Sequence, residues 1–345
     1  MHSLCYCLNE TIIDGESDAL RHLCTRAYKE VFPILLVTAI VTNAFNSFVL
    51  LYLHRVSIKT SSRLYLLWLA ITHTLACGPL LISRFVRDSA NLSYGWAYYM
   101  AHIEQQLYNS LNCTSIYITL ALALDRYSAV CDAYFYSGSQ RLTHVSKRVV
   151  IAYVVSFSIY FANGFAQEPK KMINNSNGWY VGDSWVFDKY LWKIWAIIVQ
   201  IIHRFLPGIF LFVINTRIFS TVSKLQKRIT SGNTSCSSNR NNREKQLCFL
   251  MLSFTIIFVI TNVPSAILEI MYITHSEHCH LEWMEELSRT VANYLEMSGF
   301  CFDFFLHFLV NRDYRRGIHK MSTTFCKYCS ICNHCVVHED SITEL

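Results

Sequence analysis

Long apolar runs dominate the hydrophobic pattern of this chain. Seven segments are almost free of charged residues, and short polar stretches separate them. A helix needs about 20 predominantly apolar residues to cross the hydrocarbon core of a bilayer. The pattern therefore predicts seven transmembrane helices, at residues 31–53, 64–83, 105–124, 149–167, 194–216, 247–268 and 290–310.

Charged residues interrupt only the fifth and the seventh of these runs. Arg204 lies in the fifth, and Glu296 and Asp303 lie in the seventh. The composition agrees with a membrane protein, because 52% of the 345 residues are hydrophobic and only 16% are charged. We expect an all-α membrane protein, a seven-transmembrane helix bundle. The chain lacks the paired, Gly- or Pro-broken halves typical of secondary transporters, which counts against that class.

Basic residues predict the orientation of the bundle. Lys and Arg in short loops stay on the cytoplasmic side of a membrane. They are concentrated in segments such as 217–228, 240–245 and 312–320, which places the N-terminus outside in a multi-pass plasma-membrane protein. Three glycosylation sequons fall in the predicted outer segments, which agrees with this orientation. Their asparagines are Asn9, Asn91 and Asn174.

The chain divides into a single membrane domain and two tails. We expect an extracellular N-terminus at 1–30, the seven-transmembrane domain at 31–311 and a cytoplasmic tail at 312–345. The basic segment 311–320, NRDYRRGIHK, predicts a short amphipathic eighth helix on the inner leaflet, attracted by anionic membrane lipid.

Four cysteines spaced three apart follow that segment. Such spacing suits a metal ion, but juxtamembrane cysteines are commonly palmitoylated. We favour palmitoylation over metal binding, and free thiols are the third alternative. The cysteines are Cys326, Cys329, Cys332 and Cys335. The terminal Thr343-Glu344-Leu345 fits a PDZ domain. No nucleic-acid partner is expected.

The third span ends at its inner side in Asp125-Arg126-Tyr127. In this setting the chain resembles the rhodopsin-like G-protein-coupled receptors, whose third helix ends in the same tripeptide. The likeness extends to Asn46 in the first span and to prolines in the fifth and sixth, Pro207 and Pro264.

The resemblance implies a function. Such a receptor binds an extracellular ligand, swings its sixth helix about Pro264, and exposes Arg126 to a heterotrimeric G protein; arrestin is a further partner. It carries no cofactor and performs no catalysis. The finer likeness is to invertebrate peptide receptors of the FMRFamide-receptor type, through Pro207 followed by Asn215-Thr216-Arg217-Ile218. A divergent chemosensory receptor for small molecules is one alternative, and a channel or transporter is another.

The resemblance also implies a resting contact at the inner end. Glu244 falls where the family's sixth helix carries a glutamate that pairs with the Arg126 position. The alternative is a surface glutamate within a basic run, since exposed pairs contribute only about 0–1 kcal/mol. Asn262 stands where the sixth helix of the family commonly has tryptophan.

The middle of the bundle departs from the family pattern. His73 replaces the aspartate of the second helix, and Asp303 and His307 replace the asparagine and tyrosine that close the seventh. An ionisable group within a membrane needs a partner. We expect a His73–Asp303 hydrogen bond in a polar network with Asn46 and Ser115; the alternative is a histidine satisfied by a backbone carbonyl or water. A sodium site is disfavoured.

The outer half of the spans suggests the ligand. Tyr108 stands where amine receptors carry aspartate, and the seventh span lacks the lysine of opsins. Three carboxylates, Glu104, Glu269 and Glu296, suit a cationic ligand such as an Arg-containing amidated neuropeptide. The alternative is that these acids pair internally with Arg204 or Arg289. The other candidate ligand-binding residues are Asn109, Asn112, His203, Tyr272 and Asn293, together with Tyr108.

The disulfide that the family usually carries is absent. Ala101 occupies the third-helix position, and the predicted second outer loop contains no cysteine. Cysteines in outer segments are expected to pair in an oxidising compartment. A bridge between Cys24 and Cys279 is one of three possible pairings among four outer cysteines. We expect no bound metal ion.

Overall fold

Helices account for nearly all of the chain that the structure describes. The computed structural model describes residues 22–56, 60–87, 92–131, 142–172, 178–186, 189–231, 238–275 and 282–328, some of them at helix ends by backbone alone. The expected all-α, seven-helix architecture is confirmed. We call the end of the bundle at which the first helix begins the outer end, and the opposite end the inner end, after the predicted orientation.

Seven helices form the bundle, and among the residues that the structure describes three of them contain a π-helical turn near the outer end. Helix α1 covers His22–Val56 with a π turn at Ala27–Val31. Helix α2 covers Ser61–Arg87, and α3 joins Tyr94–Tyr99, a π turn at Met100–Glu104, and Gln105–Cys131. Helix α4 covers Leu142–Tyr160 and continues as a 3₁₀ turn, Phe161–Phe165. Helix α5 joins Tyr190–Gln200, a π turn at Ile201–Phe205, and Leu206–Ser231. Helices α6 and α7 cover Ser238–His275 and Glu282–Val310.

Five helices of the described chain are long and apolar enough to cross a membrane, namely α1, α2, α4, α5 and α6. Helices α3 and α7 are more polar. The reason is their position: α3 lies against α2, α4 and α5, and α7 closes the ring between α1 and α6. Their polar side chains therefore face other helices, where buried groups find partners, and need not be compatible with lipid.

Within the described residues, apolar side chains form two large cores and a small third cluster around Cys113, Tyr160 and Val199, and they also cover the outer surface of the bundle. One core, near the inner end, includes Tyr65, Ile118 and Met251, and a second, nearer the outer end, includes Leu36 and Met297. Many large apolar side chains are nevertheless exposed, as on α4 and α5. Exposed apolar surface of this extent is typical of contact with lipid. Examples are Val150, Val154, Ile209, Phe212 and Leu309.

A β-hairpin covers part of the outer end. Strands β1 (Gln167–Lys171) and β2 (Trp179–Asp183) pair antiparallel, and Leu92 forms an isolated bridge with Trp179. The His102 Nδ1 atom lies 2.5 Å from the Gly164 carbonyl oxygen, which links the start of α3 to the segment before β1. Hydrogen bonds therefore hold the hairpin to the residues before α3, and the segment before the hairpin to α3 itself, whose outer end carries Ala101 in place of cysteine.

A further helix, α8 (Arg312–Tyr328), follows α7 and packs against α1. The Asn311 Oδ1 atom accepts a hydrogen bond from the Tyr314 backbone N–H at 3.2 Å, which caps the start of the helix. Tyr314 is fully buried in the inner core, and this burial raises the pKa of its hydroxyl. Gly317 faces Leu53, and a β-carbon on Gly317 would lie 2.7 Å from Leu53 Cδ2.

Candidate functional site

A cavity of about 200 Å³ opens at the outer end between α3, α5, α6, α7 and the hairpin. Most of the residues that the sequence suggested for ligand binding line it. They are Glu104, Tyr108, Asn109, Glu269, Asn293 and Glu296. Asn293 also donates a hydrogen bond from Nδ2 to the Tyr28 hydroxyl at 2.7 Å, which connects α7 to the start of α1.

The floor of this cavity is built around the carboxylate of Glu296. Its Oε1 atom accepts hydrogen bonds from the Tyr108 hydroxyl at 2.9 Å and from Asn112 Nδ2 at 2.6 Å. Its Oε2 atom accepts one from Ser265 Oγ at 2.9 Å. A single α7 side chain thereby contacts α3 twice and α6 once. Because the carboxylate is only 4% exposed, these contacts replace the water it would otherwise bind.

Arg204 supplies the counter-charge for this carboxylate. Its Nη2 atom donates to both carboxylate oxygens of Glu296, at 3.2 and 3.1 Å, in a buried ion pair between α5 and α7. Its Nη1 atom donates to Ser265 Oγ at 3.0 Å and lies 3.9 Å from Glu269 Oε2. Internal pairing, which the sequence left open, therefore holds for Glu296. Glu269 is the more accessible acid, with 42% of its side chain exposed.

The π turn in α5 explains why two adjacent residues both point inward. His203 and Arg204 are 0% and 3% exposed, although neighbours on a helix face directions about 100° apart. The wider turn adds a residue to the helical repeat and lets both side chains enter the bundle. His203 Nδ1 is hydrogen-bonded to the Tyr160 hydroxyl on α4. The structure thus places His203 against α4 and not along this cavity, and its role in ligand binding stays a prediction.

His73 and Asp303 meet in the middle of the bundle. His73 Nδ1 lies 2.9 Å from Asp303 Oδ2, and both side chains are buried. The distance suits a hydrogen bond, but the two atoms are not aligned as donor and acceptor. The His73 ring also packs on Phe300, with ring centroids 4.5 Å apart. The structure therefore brings the two replacements of the family pattern into contact.

The other members of the expected polar network are more dispersed. Ser115 donates to the Asn112 carbonyl at 2.7 Å, within its own helix. Asn46 is buried, and His307 lies between the rings of Phe254 and Tyr314, each with its centroid 5.6 Å away.

A contact that the sequence did not predict lies nearby. Asn43 Nδ2 donates to the Phe300 carbonyl at 2.8 Å and joins α1 to α7.

At the inner end, Asp125 gathers hydrogen bonds from two helices. Its Oδ2 atom accepts from Ser61 Oγ on α2 at 2.8 Å and from Arg126 Nη2 at 2.7 Å. Arg126 Nη2 also donates to Ser61 Oγ at 3.0 Å. Arg148 on α4 lies 3.8 Å from Asp125 Oδ1 and donates to the Tyr65 hydroxyl at 3.3 Å. The sequence did not predict the contact of Ser61 with Asp125, because a serine at the start of a helix usually indicates an N-cap.

The remaining switch residues lie around this contact and along α6. Tyr127 is exposed, and Asn262 donates from Nδ2 to Thr261 Oγ1 at 2.9 Å. Pro264 lies inside α6 and removes one backbone hydrogen bond from it. The side chain of Glu244 is outside the described part of the chain, so its pairing with Arg126 stays a prediction.

Several predicted sites fall wholly or partly outside the described residues. The structure describes Cys24 as a buried free thiol, whereas Cys279 lies among the residues not described, so a bridge between them stays a prediction. Within the described residues, no group of His, Cys, Asp or Glu side chains is arranged to hold a metal ion. The other predicted positions without a described side chain are Asn9, Asn91, Asn174, Tyr272, Cys326, Cys329, Cys332 and Cys335.

Comparison with known proteins gives consistent results. The family model described as 7 transmembrane receptor (rhodopsin family) matches residues 45–306. The chain is 24% identical over 332 residues to Probable G-protein coupled receptor AH9.1 of Caenorhabditis elegans, covering 89% of this chain and 78% of that protein. It is 25% identical over 302 residues to Probable G-protein coupled receptor B0563.6 of the same organism, covering 84% and 68%. The matched range includes both the cavity floor and the Asp125–Ser61 contact.

Proposed function

The chain belongs to the rhodopsin family of seven-transmembrane receptors, and from this premise we propose that it binds an extracellular neuropeptide in the outer cavity and activates a heterotrimeric G protein at the inner end. The observation that carries this proposal is the pairing of two features at opposite ends of one bundle. A cavity lined by carboxylates opens outward, and Asp125 holds Arg126 against α2 at the other end.

The charges of the cavity support a cationic ligand. Four acidic side chains line it, against the two basic side chains of Arg204 and Arg289. The acids are Glu104, Asp183, Glu269 and Glu296. An acidic cleft attracts cations and raises their local concentration. An arginine or lysine side chain of a peptide satisfies this charge, and the peptide's remaining residues would contact the hairpin side of the opening.

The size of the cavity favours a second candidate. A volume of about 200 Å³ is below the ~300–1,000 Å³ of most small-molecule pockets. It holds one side chain of a peptide or one small cation. A chemosensory receptor for small molecules is therefore the alternative, and it shares the charge requirement.

Signalling in this proposal runs through α6. Ligand contacts at Glu269 and Ser265, on the outer part of α6, favour a conformation in which the helix is tilted about Pro264. Its inner part then moves away from α3, and Arg126 leaves Asp125 to meet the G protein. A charged hydrogen bond such as that between Arg126 and Asp125 contributes about 1.5–3 kcal/mol, which a ligand's differential binding can supply.

We also assign the receptor to the plasma membrane with its N-terminus outside and α8 on the inner leaflet. The arginines of α8 suit anionic lipid, palmitoylation of the cysteine cluster would add a second anchor, and arrestin would compete with the G protein for the inner end.

A reporter assay tests the function. Cells expressing the receptor are screened against amidated peptides, with and without an arginine, and G-protein activation is followed by resonance energy transfer between G-protein subunits. We expect an arginine-bearing peptide to activate the wild type and to fail with Arg126→Ala at equal surface level. A response that Arg126→Ala leaves intact, or a ligand-driven ion flux independent of guanine nucleotide, contradicts the proposal.

A further inference from the structure

Three charged side chains at the cavity floor do not balance one another. Arg204 lies between two carboxylates, with Nη2 3.1 Å from Glu296 Oε2 and Nη1 3.9 Å from Glu269 Oε2. One guanidinium and two ionised carboxylates carry a net charge of −1. Arg204 and Glu296 are buried and Glu269 is partly exposed, so the effective dielectric constant around the cluster is below that of water, and its unbalanced charge attracts a counter-ion more strongly than a fully exposed group does.

The two carboxylates differ in how far their hydrogen-bonding capacity is used. Glu296 accepts hydrogen bonds from four side chains and is almost inaccessible. Glu269 has the longer contact with Arg204 and exposes 42% of its side chain toward the cavity. The charge that a counter-ion can reach is therefore on Glu269.

Arg204 itself is incompletely satisfied. Within the described residues its Nε atom is buried without a hydrogen-bond partner, although Nη1 and Nη2 both donate. A guanidinium presents five N–H donors, and a buried one that remains unpaired is costly. Arg204 is thus held firmly by Glu296 and only loosely on the side of Glu269.

We propose that Glu269 is the docking point for a single cationic group of the ligand, an ammonium or a guanidinium, which takes the place of Arg204 as the counter-charge of Glu269. This inference rests on the proposed function in one respect, that the outer cavity receives the ligand. It specifies the ligand's charge at this point as +1 and names the residue that selects it.

Docking of the cation has a consequence for the helices. The new positive charge repels Arg204 and moves it toward Glu296, so the ion pair between α5 and α7 persists. The link from Arg204 to α6, through Glu269 and Ser265, weakens. The ligand thereby loosens α6 from α5 without breaking the floor of the cavity.

Binding of a defined probe tests the charge requirement without a G protein. N-acetyl-arginine amide carries one positive charge, and N-acetyl-citrulline amide has nearly the same shape and none. Dissociation constants are measured by saturation-transfer NMR on the purified full-length receptor in lipid nanodiscs. We expect the citrulline compound to bind at least about ten-fold more weakly, and Glu269→Gln to weaken binding of the arginine compound to the same degree. Glu30→Gln, the same change at an exposed residue of α1 that does not line the cavity, should leave binding unchanged.

The direction in which Arg204→Gln changes the affinity separates two cases. Either Arg204 competes with the ligand's cation for Glu269, or Arg204 binds the ligand directly. Arg204→Gln removes the competing cation and should tighten binding of N-acetyl-arginine amide by about ten-fold. If Arg204 instead binds the probe itself, through its acetyl or amide carbonyl oxygen, Arg204→Gln should weaken binding. Equal binding of the two compounds, or weaker binding of the arginine compound to Arg204→Gln, overturns the proposal.

A double variant covers the case in which Arg204→Gln does not fold. Arg204→Gln with Glu296→Gln leaves Glu269 as the charged member, so the net charge stays −1 and binding should remain close to that of the wild type. Loss of binding by this folded double variant also overturns the proposal. Because no G protein takes part, such a result leaves the coupling role of Arg126 to be judged by the reporter assay alone.

Discussion

The imidazole of His73 and the carboxylate of Asp303 face each other between α2 and α7, with His73 Nδ1 2.9 Å from Asp303 Oδ2. Each side chain is about nine-tenths buried. Two ionisable groups at this depth are tolerable because each is the other's partner, and neither replacement is compatible with the membrane interior alone.

A swap of charges tests this pairing. His73→Asp places two carboxylates together and should lower the free energy of unfolding by about 3–5 kcal/mol, the usual cost of an uncompensated buried charge. Adding Asp303→Asn removes the repulsion and should recover most of the loss. Thermal unfolding in detergent measures both variants. Equal losses in the single and the double variant would show that the two residues are independent.

Ser61 should stabilise the inner end through Asp125. Ser61→Ala removes a donor to a buried carboxylate and an acceptor for Arg126, and we expect a loss of about 1–3 kcal/mol in stability together with raised ligand-independent signalling. Ser62→Ala is the matched control, because the Ser62 hydroxyl is buried without a hydrogen-bond partner in the described structure. Similar effects of the two substitutions on signalling would exclude a specific role for Ser61.

The hairpin should depend on Trp179. Its backbone bridges to Leu92, and its ring meets that of Tyr94 edge-on with centroids 4.9 Å apart. Trp179→Ala should speed hydrogen exchange of the β1 and β2 amides by about ten-fold, since edge-to-face pairs and their burial contribute about 1 kcal/mol or more. Trp185→Ala, at an exposed position beyond β2, should leave exchange unchanged. Unaltered exchange in Trp179→Ala would mean that other contacts hold the hairpin.

Two helical glycines should respond oppositely to alanine. At Gly95, in the first turn of α3, nothing beyond the neighbouring residues and the helix backbone lies within 4 Å of an added β-carbon, so Gly95→Ala should raise stability by up to about 1 kcal/mol through helix propensity. At Gly317 the added atom would lie 2.9 Å from Leu53 Cγ, which is not a freely moving end of that side chain. Gly317→Ala should therefore lower the unfolding temperature or displace α8 from α1. A stabilised Gly317→Ala variant would show that the α1–α8 contact is looser than described.

The seven helices could be predicted because lipid makes the apolar runs long and nearly free of charge. The exact helix lengths could not. Helix α6 begins at Ser238, well before the predicted span at 247, because a membrane limits the apolar part of a helix and not its polar extension. The hairpin was not predicted either, since Gln167–Lys171 and Trp179–Asp183 show no alternation of apolar and polar residues.

The candidate site was predictable where charge is rare. Arg204, Glu296, His73 and Asp303 stood out because an ionisable residue in a span must have a partner. Which partner it has depends on three-dimensional contact. Ser265, which bridges Arg204 and Glu296, gives no signal in the sequence, because serines are common within transmembrane helices.

The π-helical turns in α1, α3 and α5 each insert one residue into the α-helical repeat, so the residues beyond the turn change the face of the helix on which they lie. Outward of each turn, a residue points about 100° away from where it would point if the inner helix simply continued. An alignment of this chain with another receptor therefore needs a one-residue gap at Ala27–Val31, Met100–Glu104 or Ile201–Phe205 wherever the other receptor has a regular turn. Without that gap, residues of the cavity would be equated with residues that face lipid.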